Sequence, residues 1–159
     1  MKKFRNLAIM LPIFVASIAG TATANEKATV QKFYDFLSHA GSENYANRFM
    51  AATADDWTSI GDYSGKSKSR EAFAGQVGGF SKLIPDLNWK VQAMHQDGET
   101  VIVRSRATGT PKGSFFGVDG QGRSFDIMAI DIHTVENGKI TRSYHVEDWA
   151  GALRQLSGK

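Results

Sequence analysis

The chain has 159 residues, with 19 Lys plus Arg against 16 Asp plus Glu and no cysteine. The missing cysteine excludes disulfides, thiolate nucleophiles and cysteine zinc sites. Three of the basic residues, Lys2, Lys3 and Arg5, crowd the N-terminus, and without them the charges balance at 16 each, so no basic field marks nucleic acid or an anionic membrane as a partner.

Those three residues precede an apolar run from Leu7 to Gly20, and Ala22-Thr23-Ala24 closes it with an A-x-A signal. This is the pattern of a secretory signal peptide. The run falls short of the roughly 20 residues that span a bilayer, and Pro12 interrupts it. Residues 1–24 are therefore expected to be a leader, and residues 25–159 one exported domain, periplasmic or secreted. The 135 residues left (159 less 24) suffice for a core of their own.

In the expected domain, Val30, Phe33, Tyr34 and Leu37 recur at helical spacing, which predicts a helix over Glu26 to Ala40, ended by Gly41. Ser42 opens a second helix, with Phe49 and Met50 inward. Trp57 to Tyr63 reads as a short extended piece and Gly65 to Ser69 as a loop. Ser69 caps a third helix to Leu83, whose buried stripe is Phe73, Val77, Phe80 and Leu83. Gly78-Gly79 inside it suggests close packing or a break. Leu87 to His95 alternates as a strand, and Asp97-Gly98 turns it into a second strand, Thr100 to Gly109. There Val101, Val103, Ser105 and Ala107 oppose Ile102, Arg104, Arg106 and Thr108. Thr110 to Arg123 reads as a loop. It contains a G-x-x-G-x-G run, Gly117 to Gly122, that lies between strands, so a dinucleotide site is excluded and a cover over a pocket is expected. Ser124 to Val135 and Lys139 to Glu147 are strands joined at Asn137-Gly138, and a short helix follows. Helices first and hairpin-linked strands afterwards predict an α+β domain, a curved antiparallel sheet that encloses a pocket with its helices.

The last hairpin carries the densest titratable set: Asp131, His133, His145, Glu147 and Asp148. Ala129, Asp131 and His133 share one face of their strand, and Met128, Ile130 and Ile132 the other. The apolar face is expected to pack on helices, and the Asp131/His133 face to meet water or floor a polar pocket. His145 shares a face with Glu147. Trp57 and Tyr34 are candidate aromatic lining, with plain core packing as the other reading. Two histidines with a carboxylate can hold zinc or iron, but no H-x-x-x-H spacing is present and no metal is expected.

Several segments in order, Val30-Gln31-Lys32-Phe33-Tyr34, Ile84-Pro85-Asp86-Leu87, Gly113-Ser114-Phe115-Phe116-Gly117-Val118, Ile130-Asp131-Ile132-His133, Val135-Glu136-Asn137-Gly138-Lys139-Ile140 and His145-Val146-Glu147-Asp148-Trp149, resemble the SnoaL-like polyketide cyclase family, also called ester cyclases. That resemblance implies the cone-shaped fold of the superfamily named after nuclear transport factor 2. It implies a cofactor-free enzyme that closes a ring by intramolecular aldol condensation, with a pocket Asp as general acid/base. By its place before the terminal helix Asp148 matches that Asp, and His133 matches an assisting histidine. Asp131, His145, Trp57 and Tyr34 are then the substrate-binding candidates. The partner implied is a small hydrophobic molecule, and the family's usual state is a homodimer. Two other classes fit the same scaffold: a non-catalytic periplasmic binding module, and an assembly domain with a vestigial pocket. Asp148 is the discriminating residue. An acid/base role needs it in an apolar cavity, where its pKa rises, whereas an N-cap role at Trp149 needs it at the surface.

Overall fold

The computed structural model describes residues 26–158; the leader expected over residues 1–24 lies outside them. Helix α1 (Glu26–Ser38) buries Val30, Phe33, Tyr34, Phe36 and Leu37, the stripe its spacing dictates. Helix α2 (Glu43–Ala52) buries Phe49 and passes directly into strand β1 (Thr53–Ile60). A two-residue strand, β2 (Lys68–Ser69), replaces the end of the expected loop. Ser69 then caps helix α3 (Arg70–Leu83), its side chain accepting from Ala72 N–H. Gly78 and Gly79 neither break α3 nor pack closely, because a methyl at either would meet only open space.

Strands β3 (Asn88–Asp97), β4 (Thr100–Gly109), β7 (Phe125–Glu136) and β8 (Lys139–Glu147) form the hairpin-linked body of the sheet. Asn137 and Gly138 take φ of 52° and 75°, the two positive angles of a tight hairpin turn. The expected loop before β7 holds a small hairpin, β5 (Ser114–Phe115) with β6 (Val118–Asp119), turned at Phe116 and Gly117 with φ of 47° and 83°. The six-stranded sheet has the order β2-β1-β8-β7-β4-β3. It is mixed, since β1 lies parallel to β8, its pairing register shifting between Thr53 and Thr58. The architecture is thus the expected α+β sheet with N-terminal helices, corrected at one strand from antiparallel to mixed. Helix α4 (Trp149–Ser157) closes the chain and ends on Gly158 in the left-handed region.

The apolar face of β7 does not pack on the helices as expected, whereas the Asp131/His133 face takes one of the two places expected for it, with Asp131 at the pocket. On β7 the buried face is Phe125, Ile127, Ala129, Asp131, His133 and Val135, whereas Met128, Ile130 and Ile132 are exposed. Cross-strand register decides this. Asp131 stands opposite Val103 and His133 opposite Val101, while Ile130 stands opposite Arg104 and Met128 opposite Arg106. Burying the apolar triplet of β7 would bury two arginines, which costs more than burying one carboxyl with a hydrogen-bond partner.

Two glycines should respond oppositely to alanine. A methyl on Gly109 would run into Ile84 and Phe125, so Gly109→Ala is expected to destabilise by about 1–3 kcal/mol. Gly79 lies in a helix with open space around it, so Gly79→Ala is expected to stabilise by about 0.5–1 kcal/mol. Urea unfolding of both variants checks the pair, and a common sign for the two would contradict the packing described.

Candidate active site

Strict alternation on three adjacent strands builds the site. Asp131 and His133 on β7 face inward, as do Ser143, His145 and Glu147 on β8, and Trp57 and Ser59 on β1. Asp131 is the cross-strand partner of His145, and His133 of Ser143; Ser59 pairs with Ser143 from the other side. The helices cover this stripe with apolar side chains, leaving a cavity of about 60 Å³. Asp131, Ser143, His145 and Glu147 give its polar wall, and Phe33, Phe73, Val77, Phe80, Trp89 and Trp149 much of the apolar one. Lys68 and Ser59 also line it. The volume is well under the roughly 150 Å³ of an engineered apolar cavity that takes up benzene, so a larger ligand needs the rim side chains to move.

The polar stripe is wired in two groups. In the first, Tyr34 Oη donates to Asp131 Oδ2 at 2.7 Å and lies 3.1 Å from His133 Nε2. His133 Nδ1 is 2.8 Å from Ser143 Oγ, and Trp57 Nε1–H donates to the same oxygen at 3.0 Å. In the second, His145 Nδ1 lies 2.8 Å from Glu147 Oε1, and Trp149 Nε1–H donates to Glu147 Oε2 at 3.1 Å. His145 Nε2 and Ser59 Oγ are buried and have no partner among the described residues.

Burial pushes the Asp131 carboxyl up to about 7; Glu147 adds to the rise, while the Tyr34 hydrogen bond and His145 oppose it. Burial drives His133 down to about 3, with His145 pushing the same way, so His133 is a neutral imidazole at physiological pH. For His145 burial works against the cation, but the hydrogen bond and charge of Glu147, together with the charge of Asp131, outweigh it and raise the pKa. Burial first, and then Asp131, lift Tyr34 well above its ordinary value. The site therefore juxtaposes a carboxyl that titrates near neutrality with an imidazole whose pKa is raised by its acidic neighbours. Such a pair can take a proton from a weak acid and steady the negative charge that results.

Of the expected residues, Asp131 and His145 stand at the cavity. Asp148 does not. It is exposed, and its carboxylate accepts from Gly151 N–H at 2.8 Å as the N-cap of α4. The same alternation that turns Glu147 inward turns Asp148 out, so the acid/base role expected of it has no geometric basis. His133 is fully buried behind Tyr34 and does not line the cavity. Tyr34 and Trp57 are likewise buried in the core rather than on the cavity wall. Each reaches the site through one polar atom. Arg106 pairs with Asp126, away from the site. Glu147 was legible as a member of the His145 face; Ser143, Trp89 and Lys68 carried no signal that distinguished them from other strand residues. Among the described residues no three His, Cys, Asp or Glu side chains group closely enough to hold a metal ion.

The sequence profile of the SnoaL-like polyketide cyclase family matches residues 28–156. Among solved structures, a candidate SnoaL-like polyketide cyclase from Jannaschia sp. CCS1 superposes with a TM-score of 0.72 at 19% identity, covering 84% of this chain and 92% of that one. IdmH, a candidate polyketide cyclase from Streptomyces antibioticus, gives 0.72 at 24% identity, with 83% and 98% covered. A Catenulispora acidiphila protein of ketosteroid isomerase-like fold, solved with trimethylamine, gives 0.65 at 18% identity, with 82% and 92% covered. At these identities the likeness establishes the fold. No curated protein matches the chain in sequence.

Unfolded Asp131 ionises near the ordinary value of about 4 and the folded group at about 7. Between those pH values the folded chain keeps a proton that the unfolded chain has lost, so this group's contribution to stability falls as pH rises. His133 acts oppositely. The unfolded ring binds its proton below about 6.5 and the folded one only at about 3, so stability falls as pH drops through that window. Asp131→Asn removes the first dependence and leaves that of His133 in place. Its Tm relative to wild type is expected to rise between about pH 4 and pH 8; parallel Tm curves in thermal unfolding would show that Asp131 ionises normally.

Proposed function

The chain belongs to the SnoaL-like polyketide cyclase family, and on that footing we propose that it is an exported enzyme doing acid/base chemistry on a small carbonyl compound, with Asp131 in the role first expected of Asp148. The observation that carries this reading is the position of Asp131: 3% exposed, on the cavity wall, with a pKa of about 7. A carboxyl so placed is a base strong enough to attack a carbon acid and, once protonated, an acid able to return the proton.

In the step proposed, ionised Asp131 removes a proton from the carbon beside a carbonyl. The C–H electron pair becomes the enolate, whose oxygen takes a hydrogen bond from Nε2–H of charged His145, while Nδ1–H stays on Glu147. The enolate carbon then attacks a second carbonyl of the same molecule, a C–C bond forms, and the new alkoxide takes the proton back from Asp131. Return of the proton to a different carbon instead gives isomerisation. The aromatic wall of Phe33, Phe73, Phe80 and Trp149 suits a hydrophobic substrate body. It equally suits the second reading, a non-catalytic module that binds a small hydrophobic molecule.

Exchange of solvent deuterium into small enolisable ketones, followed by NMR, separates the two. Asp131→Asn is expected to lower the protein-catalysed rate by about 10²–10⁴-fold, and the wild-type rate to rise with pH about a midpoint near 7, as the ionised base requires. Exchange that is equal in wild type and variant, with ligand affinity intact, would leave the binding module.

Export and self-association belong to the same proposal. Residues 1–24 are the leader, and a second copy covers the outer sheet face, where Ile102, Met128, Ile130, Ile132, Tyr144 and Val146 are exposed by 38% to 63%. Native mass spectrometry of the exported protein is expected to find a chain beginning at Asn25 at twice its own mass, and Ile130→Lys to halve that mass. An intact leader would contradict export, and a wild-type monomer would contradict the dimer.

A further inference from the structure

We propose that Trp57, Ser143, His133 and Tyr34 form a one-way chain of hydrogen-bond donors that ends on Asp131 Oδ2 and directs any proton taken up by that carboxyl to its other oxygen. The four act as positioning residues for the acid/base group, and the inference rests on the reading of Asp131 given above.

The direction follows from what each group can donate. An indole N–H donates only, and that of Trp57 is spent on Ser143 Oγ. A serine hydroxyl carries one proton, and that of Ser143 has His133 Nδ1 as its neighbour at 2.8 Å. Nδ1 is thereby an acceptor, and in a neutral imidazole the proton then sits on Nε2. Nε2–H points at Tyr34 Oη, so the single phenolic proton goes to Asp131 Oδ2. Run backwards, the chain would have Ser143 accept from both Trp57 and His133, and its own buried hydroxyl proton would be left without an acceptor. Trp57 at one end thus sets the sense of a chain that crosses β1, β8, β7 and α1.

None of the four donors is more than 1% exposed, so water does not compete for these bonds. With Oδ2 already accepting from Tyr34, the proton that Asp131 collects goes to Oδ1. That oxygen is free of the chain, and Asp131 lines the cavity. The returning proton therefore starts from the oxygen that received it, with no rotation of the carboxyl. The titratable groups facing Asp131 in the same space are Tyr34 from α1, His145 and Glu147 from β8, and Lys68 from β2.

The test is NMR of the protein labelled with ¹⁵N in histidine and ¹³C in the aspartate carboxyls. His133 is expected as the neutral, Nε2-protonated tautomer across the neutral range. An Nδ1-protonated ring, or an imidazolium, in the wild-type protein overturns the chain without any substitution being made. The Asp131 titration is expected to move up by about one pH unit in Tyr34→Phe, a tenfold change in the ratio of protonated to ionised carboxyl. It should move less, but in the same direction, in Ser143→Ala, and return in Ser143→Thr, which restores the hydroxyl. Midpoints that stay put in both Tyr34→Phe and Ser143→Ala overturn the proposal. None of these readouts uses turnover. If they hold while Asp131→Asn leaves deuterium exchange intact, the chain stands and the catalytic reading falls; if exchange is lost in Asp131→Asn but His133 carries its proton on Nδ1, only the chain falls.

Discussion

The fold depends on burying a polar stripe without leaving it unsatisfied. Asp131, His133 and Ser143 are each at most 3% exposed, on a face that is otherwise mostly apolar. An isolated carboxyl in such a place would cost several kcal/mol. Two aromatic residues with polar tips offset that cost, Tyr34 from α1 and Trp57 from β1. Their rings pack in the aromatic cluster of Phe33, Phe49 and Phe73 while their heteroatoms reach the stripe. The same contacts fix how α1 lies on the sheet and how β1 lies beside β8. The packing and the site are one set of interactions.

Orientation of the sheet shows where single-strand patterning stops being informative. On β7 alone, Met128, Ile130 and Ile132 look like the inner face, and that expectation is wrong. The opposing faces of β4 were already visible in sequence as Val101, Val103 and Ala107 against Arg104 and Arg106. What sequence did not supply was the pairing that sets Asp131 against Val103 and Ile130 against Arg104. A sheet is buried as a whole, so the face with fewer charges over all its strands goes in, even when one strand prefers otherwise. The helices, the two hairpins and the Ser69 cap were legible because their signals are local. The parallel β1–β8 pairing and the β5–β6 hairpin were not. The first depends on long-range register, and the second turns at Phe116, a residue with no preference for positive φ.

The site divides along the same line. Asp131 and His145 were visible as titratable residues on regular strands, but the acid/base role went by family position to Asp148. Two physical facts separate those aspartates. Asp148 follows the last inward residue of β8 and accepts from a backbone N–H of a helix start, which holds it at the surface. Asp131 sits mid-strand with one hydroxyl donor, too little to compensate its desolvation, and its pKa rises accordingly. Of the two readings for Tyr34 and Trp57, pocket lining and core packing, the structure bears out core packing. Here their polar atoms matter, and no spacing rule reveals where an indole N–H will point.

Asp131 and His145 also constrain each other. They are cross-strand partners, and each ionised form favours the other: the Asp131 anion raises His145, and charged His145 lowers Asp131. Such groups titrate as a pair, in macroscopic steps that belong to neither alone. Glu147 biases the pair by pushing Asp131 toward its acid and His145 toward its cation. A base generated next to a cation is well placed to make an enolate, because the charge that leaves the carboxylate arrives within reach of the imidazolium that was already balancing it. A small apolar cavity strengthens that arrangement, since the less water it admits, the less the two charges are screened from one another.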